Sequence, residues 1–214
     1  TMSIQFGFTG PLSFVMAIVI ATPFALILGG GYGWLLNKIK GGEMMIATYV
    51  GFSSVSFMCM MWLLLPYNSP TMVWGLSGKG LRTTISLEGF YDKVLANFLH
   101  IQIGNLSIPV GSLLFFAVLA FLMWAFLHTK TGTAMTAVGS NPNFARASGI
   151  NIDKTRMLSV IMSTWLAAIG ILMYEQGFGF IQLYMAPFYM ALPAVSAILI
   201  GGASVNKATI TNVI

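Results

Sequence analysis

Leu12 to Leu36 reads LSFVMAIVIATPFALILGGGYGWLL, with no charged side chain. A hydrocarbon core about 30 Å thick is crossed by about 20 apolar residues in a helix, and this stretch exceeds that length. Charge stays absent well beyond it: there is none from residue 1 to 37 or from 44 to 78, and from Val94 to Thr129 only His100 and His128 can titrate. Over the whole chain 7% of residues are charged and 57% are hydrophobic, against about 25% charged in an average soluble domain. Water cannot keep such runs dispersed, so the bilayer is the solvent in which this chain folds.

Further spans follow outward from the first. The second runs from Met44 to Leu65, where Pro66, Asn68 and Pro70 stop it. A third, Pro109 to Leu127, opens on a proline whose missing N–H suits a first helical turn. A fourth covers Met157 to Tyr174. The fifth, Pro187 to Ser204, contains Pro193 and closes on Gly201 and Gly202, the pattern of a broken or re-entrant helix, which is tolerated where backbone is buried in protein or lines a wet cavity. The expected fold is all-α, a polytopic transmembrane helix bundle with at least five membrane segments. Residues 1–214 read as a single transmembrane domain, incomplete at both ends. Residue 1 is not methionine and no signal pattern opens the chain, while Ala208 to Ile214 starts a fresh apolar run.

Lysines and arginines of short loops stay in the cytoplasm. Lys38 and Lys40 lie between spans one and two, and Lys130, Arg146, Lys154 and Arg156 between spans three and four. Parity puts both loops on the cytoplasmic side. The 66–108 connection, where Lys79, Arg82 and Lys93 are partly balanced by Glu88 and Asp92, then lies outside, and Lys207 falls on the cytoplasmic side if the fifth segment crosses.

Catalytic patterns are absent from the sequence. Cys59 is alone in an apolar run, where a thiol acts as a small hydrophobe, and His100 and His128 stand without a second ligand motif, so no metal site is expected. No serine lies in a Gly-x-Ser-x-Gly setting. Gly78-Lys79-Gly80 lacks the Ser or Thr of a P-loop, and Gly202 to Lys207 lacks its glycine before lysine. If ATP drives this protein, another chain hydrolyses it. Among the 23 glycines, Gly29 and Gly33 have the small-xxx-small spacing that lets helices approach closely. Gly31-Tyr32-Gly33 has the look of an ion-channel filter but lacks a preceding Thr-Val.

The charged loop Thr129 to Arg156 reads TKTGTAMTAVGSNPNFARASGINIDKTR. It is too long for a simple turn and should form a small structure. Asn141 suits an N-cap and Pro142 a first helical position, and Gly149 admits a left-handed stop. A helix this short is marginal alone, so it needs the membrane interface or a partner to pack on.

Thr131-Gly132, then Ala137-Val138-Gly139-Ser140-Asn141-Pro142, then Ala145-Arg146-Ala147-Ser148-Gly149-Ile150 and Lys154, resemble the membrane subunits of ABC importers of the ribose, simple-sugar, nucleoside and branched-chain amino-acid type. Ala167 to Leu172 and Ala197 to Ser204 extend the resemblance. It implies a permease domain with a cytoplasmic coupling loop at 129–156, docking through Gly139, Asn141, Pro142, Ala145, Arg146, Ala147, Ser148, Gly149 and Ile150. The implied partners are a cytoplasmic ATP-binding subunit, a second permease subunit (identical or different), an extracytoplasmic solute-binding protein, membrane lipid and a small solute, but no nucleic acid. No cofactor is expected, ATP being bound by the partner, and the chain is not expected to be an enzyme. Glu175, Gln176, Gln182 and Tyr184 are the candidates for the translocation path, because polar groups at a membrane margin are functional leads. With Phe178, Phe180 and Tyr189 they suit a neutral solute, sugar or nucleoside, better than an amino acid. The alternatives are an ATP-independent channel or other small-solute transporter, and a branched-chain amino-acid importer subunit.

Overall fold

The computed structural model describes residues 6–39, 41–64, 84–98, 100–103, 106–182, 186–204 and 209–210. Lys40, Lys79, Arg82, Tyr184, Lys207 and most of the run 208–214 lie outside them, as do the stop signals Pro66, Asn68 and Pro70. In chain order the elements are α1 (Gly10–Lys38), α2 (Glu43–Leu64), β1 (Thr84–Ser86), α3 (Val94–Phe98), β2 (His100–Ile103), β3 (Leu106–Pro109), α4 (Val110–Leu127), α5 (Lys130–Ser140), α6 (Pro142–Ala147), α7 (Ile152–Phe178), β4 (Phe180–Gln182) and α8 (Ala186–Ile200).

Four of these helices, α1, α2, α4 and α7, are long and apolar enough to cross a membrane. The chain is a multi-pass helical membrane protein, as the sequence implied. Three particulars differ. The fourth span is longer than the apolar run Met157 to Tyr174: α7 takes in Asp153, Lys154 and Arg156, because a helix leaving the bilayer carries charges in water without ending. In the fifth segment the described helix, Ala186–Ile200, runs through Pro193 without a break, while its 15 residues fall short of the about 20 a full crossing takes, in keeping with the re-entrant alternative. Among the described residues four short strands also accompany the helices.

α1 and α7 form the most extensive pair. Buried Ala25, Gly29 and Gly33 recur every fourth residue along α1, making one row of the helix surface. A Cβ on Gly29 would lie 3.0 Å from Ile161 Cα, and one on Gly33 would lie 3.2 Å from Met157 Cα. The two backbones are therefore in contact, as the small-xxx-small spacing suggested. One turn outward Trp165 Nε1 donates to Thr22 Oγ1 at 3.2 Å, and Thr22 donates to Ile18 O at 2.8 Å. Interhelical bonds of this kind contribute about 0.6 kcal/mol in a bilayer, so the seam is held mainly by close packing.

The main buried cluster lies at one end, where the β1–β4 pair packs against the ends of the apolar helices. β1 pairs antiparallel with β4, with Ile85 opposite Ile181. Ile85 and Leu87 are fully buried and Tyr91 is 1% exposed, against Phe14 of α1. Leu87 N donates to Gly179 O at 2.9 Å and Lys93 N to Gln176 O at 2.9 Å, which straps this cap onto the end of α7. Gly179 ends α7 at φ +76°, a left-handed conformation that suits glycine. A hairpin, β2 with β3, leads into α4. By contrast α2, α4 and α8 expose large apolar side chains such as Met44, Phe121 and Ile200. Lipid or further helices, rather than water, are the medium for those faces.

Candidate functional site

At the end opposite the cap, three helix caps in series shape the charged loop. Thr129 Oγ1 accepts from Gly132 N at 3.3 Å and opens α5. Gly132 sits directly under the backbone of Phe126 and Leu127, where no side chain fits, so α5 turns sharply off the end of α4. Asn141 Oδ1 accepts from Asn143 N and Phe144 N, both at 3.1 Å, and Pro142 takes the first position of α6. Asn151 Oδ1 accepts from Lys154 N at 3.0 Å and starts α7. Between α6 and α7, Gly149 N donates to Arg146 O and Ile150 N to Ala145 O, each at 3.0 Å, with Gly149 at φ +78°. This double bond pattern is a Schellman stop.

The expected Asn141 cap and Gly149 stop are thus both present. Ala145 is completely buried and anchors α6. Asn141, Pro142, Arg146, Ala147, Ser148 and Gly149 are exposed around it, and Ile150 is half-buried. Phe144, 65% exposed, was left out of the sequence-based candidates. An aromatic ring presented to water on a short polar helix is the signal that picks it out.

Behind α6 lies a cavity of about 530 Å³, lined among others by Asn37, Glu43, Gly139, Pro142, Arg146 and Arg156. Two long-range contacts close it. The Arg156 guanidinium pairs with the Glu43 carboxylate, and Asn37 Nδ2 donates to Asp153 O at 2.7 Å. They join the α1–α2 connection to the start of α7, the two loops that the distribution of lysine and arginine had assigned to one side. These partners are more than 110 residues apart, and no local pattern announces them.

The candidates for the translocation path sit at the other end. Gln176 is 1% exposed, and its Oε1 accepts from Leu95 N at 3.2 Å. Glu175 is buried beside it, near Tyr91. Burial, with the Glu175 charge second, holds the Tyr91 phenol above its ordinary range. Gln182 lies in β4 opposite Thr84; Tyr184 is outside the described residues. Phe178 and Phe180 meet edge to face at 6.2 Å. Glu175 and Gln176 are therefore brought together under the cap, while the nine loop candidates gather at the opposite end. Among the described residues no three His, Cys, Asp or Glu side chains cluster as metal ligands.

A family model described as branched-chain amino acid transport system, permease component, matches residues 2–214. The nucleoside ABC transporter permease protein NupB of Lactococcus lactis subsp. cremoris is 26% identical over 87% of this chain and 52% of its own length. The tyrosine transport system permease protein of Clostridioides difficile is 27% identical over 63% of this chain and 46% of its own. For the autoinducer 2 import system permease protein LsrD of Escherichia coli K12 the figures are 24%, 61% and 38%. The chain thus spans about half the length of the curated relatives it matches, or less. No solved structure matches it.

Proposed function

This chain belongs to the branched-chain amino acid transport system permease component family, and on that premise we propose that it forms part of the membrane-spanning subunit of an ATP-driven importer in a bacterial cell membrane. Residues 1–214 act as one transmembrane domain, with 129–156 as its cytoplasmic coupling loop. The observation that carries this reading is α6: a helix too short to stand alone, capped at both ends, anchored by Ala145 and presenting Phe144 and Arg146 outward. A cleft in a cytoplasmic ATP-binding subunit is the partner suited to it. That subunit binds and hydrolyses ATP, and this chain contributes neither catalysis nor cofactor.

Two permease subunits, identical or different, frame the path, and an extracytoplasmic solute-binding protein delivers the cargo. Glu175, Gln176, Gln182 and Tyr184 are the residues proposed for the path. The cargo is a small neutral solute, sugar or nucleoside. Relatives named for a nucleoside and for autoinducer 2 support that class, and the tyrosine permease marks its competitor. The test is affinity recovery of the intact protein from detergent-solubilised membranes, with and without deletion of residues 141–150. An ATP-binding subunit should accompany the wild type and disappear with the deletion. Absence of any such subunit from the wild type overturns the importer reading.

A further inference from the structure

The cavity behind α6 sits at a defined depth. Trp34, 59% exposed, stands one residue past Gly33 of its wall, and Lys38 Nζ lies 5.0 Å from the centre of the Trp34 ring. At the inner end of α4, exposed Trp124 packs on His128. Exposed tryptophans at helix ends mark the headgroup level of a bilayer, so the cavity of about 530 Å³ lies where lipid headgroups lie. Its lining is divided. Val138 and Val160 belong to an apolar part, while Arg146, Arg156, Glu43 and Asp153 bring two positive and two negative side chains to the same space. Arg156 pairs with Glu43, and a guanidinium, with five N–H donors, has others left for a second acceptor. Arg146 has no carboxylate partner among the described residues, and it borders this cavity as well as the exposed surface of α6.

We propose that this cavity holds the headgroup of a zwitterionic phospholipid with a primary ammonium, of the phosphatidylethanolamine type. The phosphodiester lies on Arg146 and the remaining N–H groups of Arg156, a charge-assisted arrangement suited to arginine. The ammonium donates to the Glu43 carboxylate, and the first acyl carbons lie on Val138 and Val160. Charge balance selects this occupant. Equal numbers of opposite charges in the lining match a headgroup that carries one of each. A purely anionic headgroup meets Glu43 and Asp153, and a quaternary ammonium has no N–H to give them. A soluble phosphate compound leaves the apolar wall uncovered. Pockets with basic side chains between membrane helices are known to take lipid headgroups on the cytoplasmic side, the side to which the lysine and arginine pattern assigns this end. Binding there needs neither solute nor ATPase.

The test is native mass spectrometry of the intact protein, delipidated in detergent and titrated with phosphatidylethanolamine, phosphatidylcholine and phosphatidylglycerol of identical chains, and with free phosphoethanolamine. Phosphatidylethanolamine should be retained about tenfold more tightly than each of the others, the difference one charge-assisted hydrogen bond makes. Arg146→Gln should weaken its retention by a similar factor, and Arg146→Lys by less. Because a substitution can act through folding, a phosphatidylethanolamine with a diazirine close to the headgroup gives a second measurement, and in the wild type it should label the peptides containing Val138 or Val160. Equal retention of the three lipids, a preference for phosphatidylglycerol, tight binding of free phosphoethanolamine, unchanged retention by Arg146→Gln, or label confined to other peptides would each overturn the proposal. So would a cavity filled by another segment of the chain, which shows as no lipid retained. Loss of the importer reading looks different: the lipid is still retained, and no ATP-binding subunit is recovered with the protein.

Discussion

Gly29 shows how much one residue decides in a bilayer. Helices there gain little from burial against each other, so contact distance carries the energy, and at Gly29 the contact is with backbone at 3.0 Å. Gly29→Val should lower the melting temperature of the detergent-solubilised protein, at a cost of about 1–3 kcal/mol as for other overpacked sites, while Gly30→Ala, with open space around it, should not. Tyr91 makes the opposite case. Its buried hydroxyl has no hydrogen-bond partner, so Tyr91→Phe should be neutral or stabilising at pH 7. Because the folded phenol titrates above its unfolded value of about 10, its contribution is complete below pH 10 and is lost as pH rises beyond it. Hydrogen exchange of the cap amides should accelerate above pH 10 in the wild type and less in the variant. The glycine seam was legible in the sequence because spacing alone encodes it. The Tyr91 core was not, since nothing local marks a loop tyrosine as buried.

At the scale of elements, caps were readable where the chemistry is compact. Asn141-Pro142 and Gly149 announced α6, and the structure has both ends where they indicate. The Thr129 and Asn151 caps went unread because lysine, aspartate and arginine in the next turns look like loop, although they belong to helices in water. β1 and β4, three residues each, are too short to show alternation. The Glu43–Arg156 pair is the joint between elements that sequence cannot display. Its side chains are 48% and 31% exposed, so it adds about 0–1 kcal/mol to stability, and its role is to fix where α2 starts relative to α7. Spin labels on α2 and α7 should report a single narrow distance in the wild type and a broadened one in Arg156→Glu. The double exchange Glu43→Arg with Arg156→Glu should restore the narrow distribution; failure to restore it would deny the pair this role.

For the whole molecule, composition settled the bilayer and the charge pattern settled the grouping of loops, since the loops carrying Lys38 and Arg156 do meet at one end. The character of the fifth segment was less legible: Pro193 reads as a break, yet Ala186–Ile200 is helical throughout. Orientation is open to direct measurement. In a Cys59→Ser background, a cysteine at Ser148 should react with a membrane-impermeant maleimide only in inside-out vesicles, and one at Glu88 only in right-side-out vesicles. The reverse pattern would turn the molecule over and put α6 outside.

The cap ties α1, through Phe14 and the bond from Gly10 N to Phe90 O, to α7, through Gly179 and Gln176. At that end the two helices share a buried block, and toward the other their backbones touch at Gly33 and Met157. Clamped at both ends, the pair is one rod rather than two. A load applied at α6 is thus handed to the cap as a displacement of the whole pair, with little lost to bending between them.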